Sequence, residues 1–185
     1  MGLPTQSVQP FNTRQFRSAL GYFATGVTVI TTRHGQHTHG MTANAFISVS
    51  LDPPLVLASL DNRSHMHHIL PDIGRYGISV LAEDQKLLSN HFAGQTVSGL
   101  HIRFITHEGM PLLEGAVAYF VVRLIDAHPA GDHTLYIGRV EFFEFRDDKP
   151  LVYYAGEYQQ IQEQRTKTWH RPEDELSLFS IGSSL

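Results

Sequence analysis

The stretch Gly40-Met41-Thr42-Ala43-Asn44-Ala45-Phe46 sets hydroxyl and amide side chains among small ones. Thr42 and Asn44 can donate to a phosphate or to the edge of a heterocycle, while Ala43 and Ala45 let a flat ligand approach the backbone. Ser48, Ser50, Ser59, Asn62 and Ser64 continue this polar, uncharged chemistry. Ser, Asn and Asp also dominate turns, so each signal alone is equally ordinary turn chemistry.

Histidine is the other abundant chemical group, with 12 residues. They cluster at His34, His37 and His39 and again at His65, His67 and His68. On a strand His37 and His39 would share a face, which suits two metal ligands. Neither cluster contains a carboxylate, and both lie in or beside turn-like segments, so the expectation is solvated loop histidines and no metal site. Gly131-Asp132-His133 reads either as a hairpin turn or as a turn that places a histidine at the mouth of a barrel. Pro150 to Tyr158 sets Tyr153, Tyr154 and Tyr158 around Gly156, which reads first as packing.

Absences narrow the chemistry. The chain has no cysteine, which excludes a disulfide scaffold, a thiolate metal centre and a cysteine nucleophile. It has no G-x-G-x-x-G, no G-x-x-x-x-G-K-[ST], no G-x-S-x-G and no H-E-x-x-H. Its 14 Lys and Arg against 18 Asp and Glu give a net charge of −4, with no basic run for a nucleic-acid backbone. No apolar run approaches the ~20 residues of a membrane helix. Met1 to Pro10 lacks the apolar core of a signal peptide, so the expectation is a soluble cytoplasmic protein.

At 185 residues, 42% of them hydrophobic, the chain has the length of one domain. Helices are predicted over Thr13 to Ala24, Arg63 to Leu70 and, capped by Asp84, through Phe92. Strands are predicted over Val27 to Thr32, Thr38 to Ala43, Phe46 to Leu51, Leu55 to Leu60, Tyr76 to Leu81, Ala116 to Ala127, Leu135 to Phe145 and Leu151 to Tyr154. Thr96 to His107 reads as irregular. The architecture is mainly β with flanking helices, about six or seven of these strands, antiparallel, closed into a barrel. The segment after Tyr158 reads as a tail over residues 159–185, with one apolar cluster from Leu176 to Ile181.

Taken together, these segments resemble the flavin reductase family, the short reductase components of two-component flavin monooxygenases. The resemblance runs in order through Phe16 to Gly21, Gly26 to Thr32, Gly40 to Phe46, Ser48 to Val56, Val80-Leu81 with Gln85 and Ser89 to Phe92, Gly131-Asp132-His133 with Gly138 to Val140, and Pro150-Leu151 with Tyr154 to Gly156. It implies one domain over residues 11–158 with the FMN-binding split β-barrel fold, antiparallel and Greek-key-like. It implies a homodimer that holds FMN or FAD, with NADH or NADPH as hydride donor, and an oxygenase component as partner.

The resemblance also assigns residues. Thr42, Ala43, Asn44 and Ala45 would line the flavin ring and ribityl chain, and Ser48, Val49 and Ser50 the ring edge. Ser59, Leu60, Asn62 and Ser64 would lie at the phosphate end, and Asn90, His91 and Phe92 at the outer part. His133 would be the catalytic position, orienting the nicotinamide, with Tyr154 and Gly156 nearby. His91 stands where many members carry Arg, and Ala45 where Ser is common. Two other readings fit the same residues: a flavoprotein that keeps its flavin and reduces another acceptor, and a non-catalytic split barrel that binds flavin or haem.

Overall fold

The computed structural model describes residues 11–162. The predicted tail lies almost wholly outside the described residues, as does its apolar cluster from Leu176 to Ile181. Twelve strands and three helices are formed among the described residues. Seven of the strands make one antiparallel sheet: β2 (Thr28–His34), β3 (His37–Ala43), β4 (Phe46–Leu51), β5 (Pro54–Asp61), β6 (Arg75–Val80), β9 (Ala118–Ala130) and β10 (His133–Phe145). Their order across the sheet is β3-β2-β6-β9-β10-β5-β4. The two edge strands, β3 and β4, are separated in sequence only by Asn44 and Ala45. The sheet must therefore curl until its edges nearly meet, which makes a barrel with a split at that crossing.

Alternation in β5 and β10 drives the closure. Val56, Ala58 and Leu60 of β5 and Thr134, Tyr136 and Gly138 of β10 point inward, and their neighbours are less buried. Val56, Ala58, Leu60 and Tyr136 meet Ile30, Tyr76, Ile78 and Val122 in the core. Register shifts at Ile137/Gly138 and Val140/Phe142 bend the long β9–β10 hairpin. One end of the barrel is plugged by α2 (His65–Ile73), which buries Met66, Ile69 and Leu70. Ser64 caps this helix by accepting from His67 N–H at 3.2 Å, and Gly74 ends it in the left-handed region.

Several boundaries differ from the sequence reading. The first helix, α1 (Thr13–Leu20), stops short of Ala24 because the carbonyl of Gly21 accepts from Ala155 N–H at 2.7 Å instead of continuing the helix. The third helix, α3 (Lys86–Phe92), is not capped by Asp84, which is exposed. Gln85 stands at the cap position, and its side chain bridges Ala82 N–H and the Glu114 carbonyl at 3.1 and 2.8 Å. Thr96 to His107 is not wholly irregular. β7 (Phe104–His107) pairs with β8 (Met110–Leu113) across Glu108-Gly109, both at positive φ, a tight two-residue turn.

The remaining strands form a separate three-stranded sheet, β1 (Thr25–Gly26), β11 (Val152–Tyr154) and β12 (Glu157–Gln159), in the order β1-β11-β12. The sequence reading contained neither β1 nor β12. Ala155 and Gly156, at φ 51° and 87°, form the turn between β11 and β12. This hairpin and α3 face the open end of β2 and β3.

Candidate flavin site

A cavity of about 340 Å³ opens where the ends of β2 and β3, helix α3 and the β11–β12 hairpin converge. Thr42 and Asn44 line it from β3 and the crossing that follows. Ser89 and Asn90 line it from α3, with Ala93 and Gln95 beyond the helix. Val27, Tyr153, Gly156 and Tyr158 complete the wall. None of these side chains carries a charge, so the lining offers hydroxyls, amides and phenol rings.

Hydrogen bonds tie the wall together. Thr42 Oγ1 donates to the Ser89 carbonyl at 2.7 Å, joining β3 to α3. Tyr158 Oη lies 2.8 Å from Ser89 Oγ and donates to Asn90 Oδ1 at 2.9 Å, joining β12 to α3. Tyr153 packs edge-on against Tyr158 with ring centroids 5.3 Å apart. A second, polar recess of about 410 Å³ lies on the other side of Tyr158, with Glu83, Lys86 and Gln159 in its wall.

Of the residues singled out in sequence, Thr42, Asn44, Asn90 and Gly156 are thus brought into one cavity. Ala45 sits at the crossing, and its carbonyl accepts from Ser59 N–H at 3.0 Å. Ser48 and Val49 are exposed and Ser50 half-buried on edge strand β4, where the register shifts between Ser48 and Ser50. His91 is half-buried with its ring edge-on to Phe92. Tyr154 lies outside the cavity wall, edge-on to Tyr22 at 5.9 Å.

Three of the residues that the resemblance assigns have side chains packed against hydrophobic clusters of the fold. Leu60 is fully buried in the core, so its side chain cannot reach a ligand. Ala43 is buried in the same core, and its carbonyl accepts from Thr28 Oγ1 at 2.6 Å. Phe92 packs against the cluster of Val27, Val29, Leu81, Leu113 and Leu151, so its ring anchors α3. For Leu60 and Ala43 inward packing removes apolar surface from water and leaves little of the side chain exposed, whereas Phe92 stays partly buried.

His133 and the phosphate-end residues form a second group at the tip of β5 and the β9–β10 turn. His133 Nδ1 lies 2.7 Å from Asp132 Oδ1, and this hydrogen bond holds the Asp132 carboxyl below its ordinary range. Asn62 clamps the turn: it accepts from Thr134 Oγ1 at 2.8 Å, and its backbone N–H donates to the Asp132 carbonyl at 3.0 Å. Arg63 pairs with Asp61 at 2.7 Å, and its hydrogen bonds hold the Asp61 carboxyl well below the usual range. His133 does not line the 340 Å³ cavity. The Ala45–Ser59 hydrogen bond and strand β5 connect the two groups.

Sequence reasoning did not assign Tyr158, Ser89, Tyr153 or Val27 to the site. Ser89 stood within a resembling segment and Tyr158 within the tyrosine cluster, but no spacing linked residues so far apart. The histidine clusters stay outside the cavity. His39 stacks obliquely on His65 at 4.7 Å and approaches His34 at 6.1 Å. Among the described residues no group of three or more ligating side chains could hold a metal ion.

The cavity suits a heterocycle with several acceptors. Its volume is at the low end of the ~300–1,000 Å³ common for cofactor pockets, so it would enclose part of a flavin and leave the rest along the split. A split barrel beside an uncharged, polar cavity is the architecture of a protein that binds a small molecule. Comparison with known proteins gives the family: residues 20–162 match the flavin reductase like domain, and this chain belongs to that family. It is 49% identical over 149 residues to an NADH-dependent flavin reductase of Rhodococcus sp, covering 79% of this chain and 85% of that protein. It is 39% identical to the reductase component of 4-hydroxyphenylacetate 3-monooxygenase of Thermus thermophilus, covering 79% and 95%. The solved structure of the flavin reductase PheA2 in its native state superposes with a TM-score of 0.81 at 41% identity, covering 83% of this chain and all of that one.

Proposed function

We propose that this protein is an NAD(P)H-dependent flavin reductase, which passes a hydride from nicotinamide to FMN or FAD and supplies reduced flavin to a separate oxygenase. The observation that carries this reading is the uncharged cavity of Thr42, Asn44, Asn90 and Gly156 in a chain of the flavin reductase like family. The relatives' names support both halves: one is an NADH-dependent flavin reductase, another the reductase component of a monooxygenase.

Bound flavin would supply the hydride acceptor, and the bond chemistry belongs to the two cofactors. The protein's part is to bind, stack and orient. Thr42, Asn44 and Asn90 would meet the ring and ribityl chain, with Ala45, Ser48, Val49 and Ser50 along its edge. Ser59, Asn62 and Ser64 would lie toward the phosphate. Ser64 keeps its hydroxyl proton to donate, since its oxygen serves as helix cap. Asp132 holds His133 Nδ1, which leaves Nε2 to meet the nicotinamide. Neutral donors hold a ligand without fixing it by charge, which suits a reduced product that must leave.

The proposed working unit is a homodimer. Ile47, Val49 and Leu51 on edge strand β4, and Phe143 and Phe145 at the end of β10, are exposed apolar side chains. Exposed apolar surface of this kind, on an edge strand free to pair, favours a second copy. The proposed compartment is the cytoplasm, and no described helix is long and apolar enough to cross a membrane. The proposed domain is residues 11–158, with 159–185 as a tail.

The test is NADH oxidation with no flavin, with FMN and with FAD. Turnover that rises with added flavin is expected. A protein that is yellow as purified and ignores added flavin would be a flavin-keeping enzyme, and one that binds flavin without turnover a storage or sensor module. Asn44→Ala should weaken flavin binding while leaving hydride transfer at saturation nearly unchanged, because the contact exists before and during the reaction.

A further inference from the structure

Ser89, Asn90 and Tyr158 form a hydrogen-bonded chain along one wall of the cavity. A phenol has one proton to give. Tyr158 Oη donates it to Asn90 Oδ1 at 2.9 Å, so the Tyr158 oxygen is left to accept from Ser89 Oγ at 2.8 Å. Donation therefore runs from Ser89 to Tyr158 to Asn90. Ser89 is fully buried, and its carbonyl is taken by Thr42. Tyr158 is held in place independently: β12 pairs it opposite Tyr153, the two rings meet edge-on, and Lys86 Nζ lies 5.4 Å from its ring centroid.

The consequence falls on Asn90. An amide has an acceptor end and a donor end of nearly equal shape, and hydrogen bonds decide which way it faces. With Oδ1 engaged by Tyr158, the Nδ2 end is left for the cavity, and among the described residues nothing accepts from it. We propose that Tyr158 is a positioning residue: it fixes the Asn90 amide so that Asn90 presents N–H donors, not its carbonyl, to the acceptor edge of a ligand ring. This rests on the reading of the cavity as the flavin site. A flavin ring matches the arrangement, since its carbonyl oxygens and unprotonated nitrogens are acceptors.

The test uses riboflavin, which has the ring and ribityl chain but no phosphate for a new charge to repel. Its affinity is measured by fluorescence quenching, with the melting temperature of each variant recorded alongside. Asn90→Asp keeps an acceptor for Tyr158 and turns the donor end into a carboxylate oxygen. It should lose affinity beyond Asn90→Ala by about tenfold, since a carboxylate facing a ring acceptor leaves both unpaired. Tyr158→Phe should weaken binding about three- to tenfold alone and add little in the Asn90→Ala background, because the two act as one unit. Asn90→Asp binding as well as or better than Asn90→Ala overturns the proposal, and so do additive losses for Tyr158 and Asn90. The Asn90 pair decides the matter even if Tyr158→Phe does not fold. If riboflavin binds but no variant of Asn44 or Asn90 changes its affinity, the reading of the cavity itself fails, and the proposal with it.

Discussion

The ring of Phe92 lies directly against the backbone of Gly40: a methyl group on Gly40 would come within 2.6 Å of Phe92 Cε1. This close approach seats α3 on β3, and α3 carries Ser89 and Asn90 into the cavity. Gly40→Ala should therefore displace Phe92, cost about 1–3 kcal/mol of stability, and weaken flavin binding. Gly26→Ala is the matched control, because a methyl there meets nothing within 4 Å. Thermal melts and flavin titrations of the two variants check this. Equal behaviour would mean that the Gly40–Phe92 contact does not position α3.

Tyr76 is fully buried in the barrel core and its hydroxyl has no hydrogen-bond partner. Burial pushes the phenol pKa well up, so the group stays neutral at all working pH values. An unpaired buried hydroxyl carries a desolvation penalty of about 1–3 kcal/mol. Tyr76→Phe should thus leave stability unchanged or raise it, shifting the melting temperature upward by up to several degrees. A clear fall in melting temperature would show that the hydroxyl has a partner after all.

His39 should make stability depend on pH. Burial lowers the His39 pKa first, and the neighbouring His65, His34 and His37 lower it further. A histidine whose folded pKa lies below its ordinary 6.5 binds more protons when unfolded. Folding stability then rises with pH in this range, and is lost as pH falls below about 6.5 toward the folded value. His39→Gln should flatten the curve of melting temperature between pH 7 and pH 5. A variant that keeps the wild-type slope would place the dependence elsewhere.

His133→Ala should damage the nicotinamide step and spare flavin binding. His133 stands at the start of β10 with Nδ1 held by Asp132, apart from the 340 Å³ cavity. Losing one orienting hydrogen bond should cost about 1–3 kcal/mol, roughly five- to a hundred-fold, in NADH affinity or in the stopped-flow rate of flavin reduction. Asp132→Asn should produce a smaller loss of the same kind. Flavin affinity and melting temperature falling together would instead make His133 a structural residue.

The residue pattern alone determines much of this molecule. The alternation over Phe46 to Leu51 and Tyr76 to Leu81, the apolar run of β5, the β-branched run of β2 and the helical spacing before Gly21 are local signals, because each is read from neighbours in sequence. The Gly40–Phe46 stretch likewise declares its chemistry by composition, and Thr42 and Asn44 do line the cavity. The hairpins β7–β8 and β11–β12 escaped because their turns, Glu108-Gly109 and Ala155-Gly156, lack the Asn-Gly or Asp-Gly pairs that mark a tight turn.

Tertiary structure decided the rest. Leu60 and Ala43 have types and positions that fit a ligand site, yet the curl of the sheet turns their side chains into the core, while Phe92 packs its ring against a second cluster from α3. Tyr158 reaches Asn90 across a separation of 68 residues, and Thr42 reaches Ser89 across 47. Such pairs leave no periodicity in a sequence. They exist because barrel closure sets the end of β3 beside α3, and the β11–β12 hairpin then brings a phenol to the same wall. Which groups share a cavity is fixed by that folding in space, since hydrogen bonds act over about 3 Å and are blind to distance along the chain.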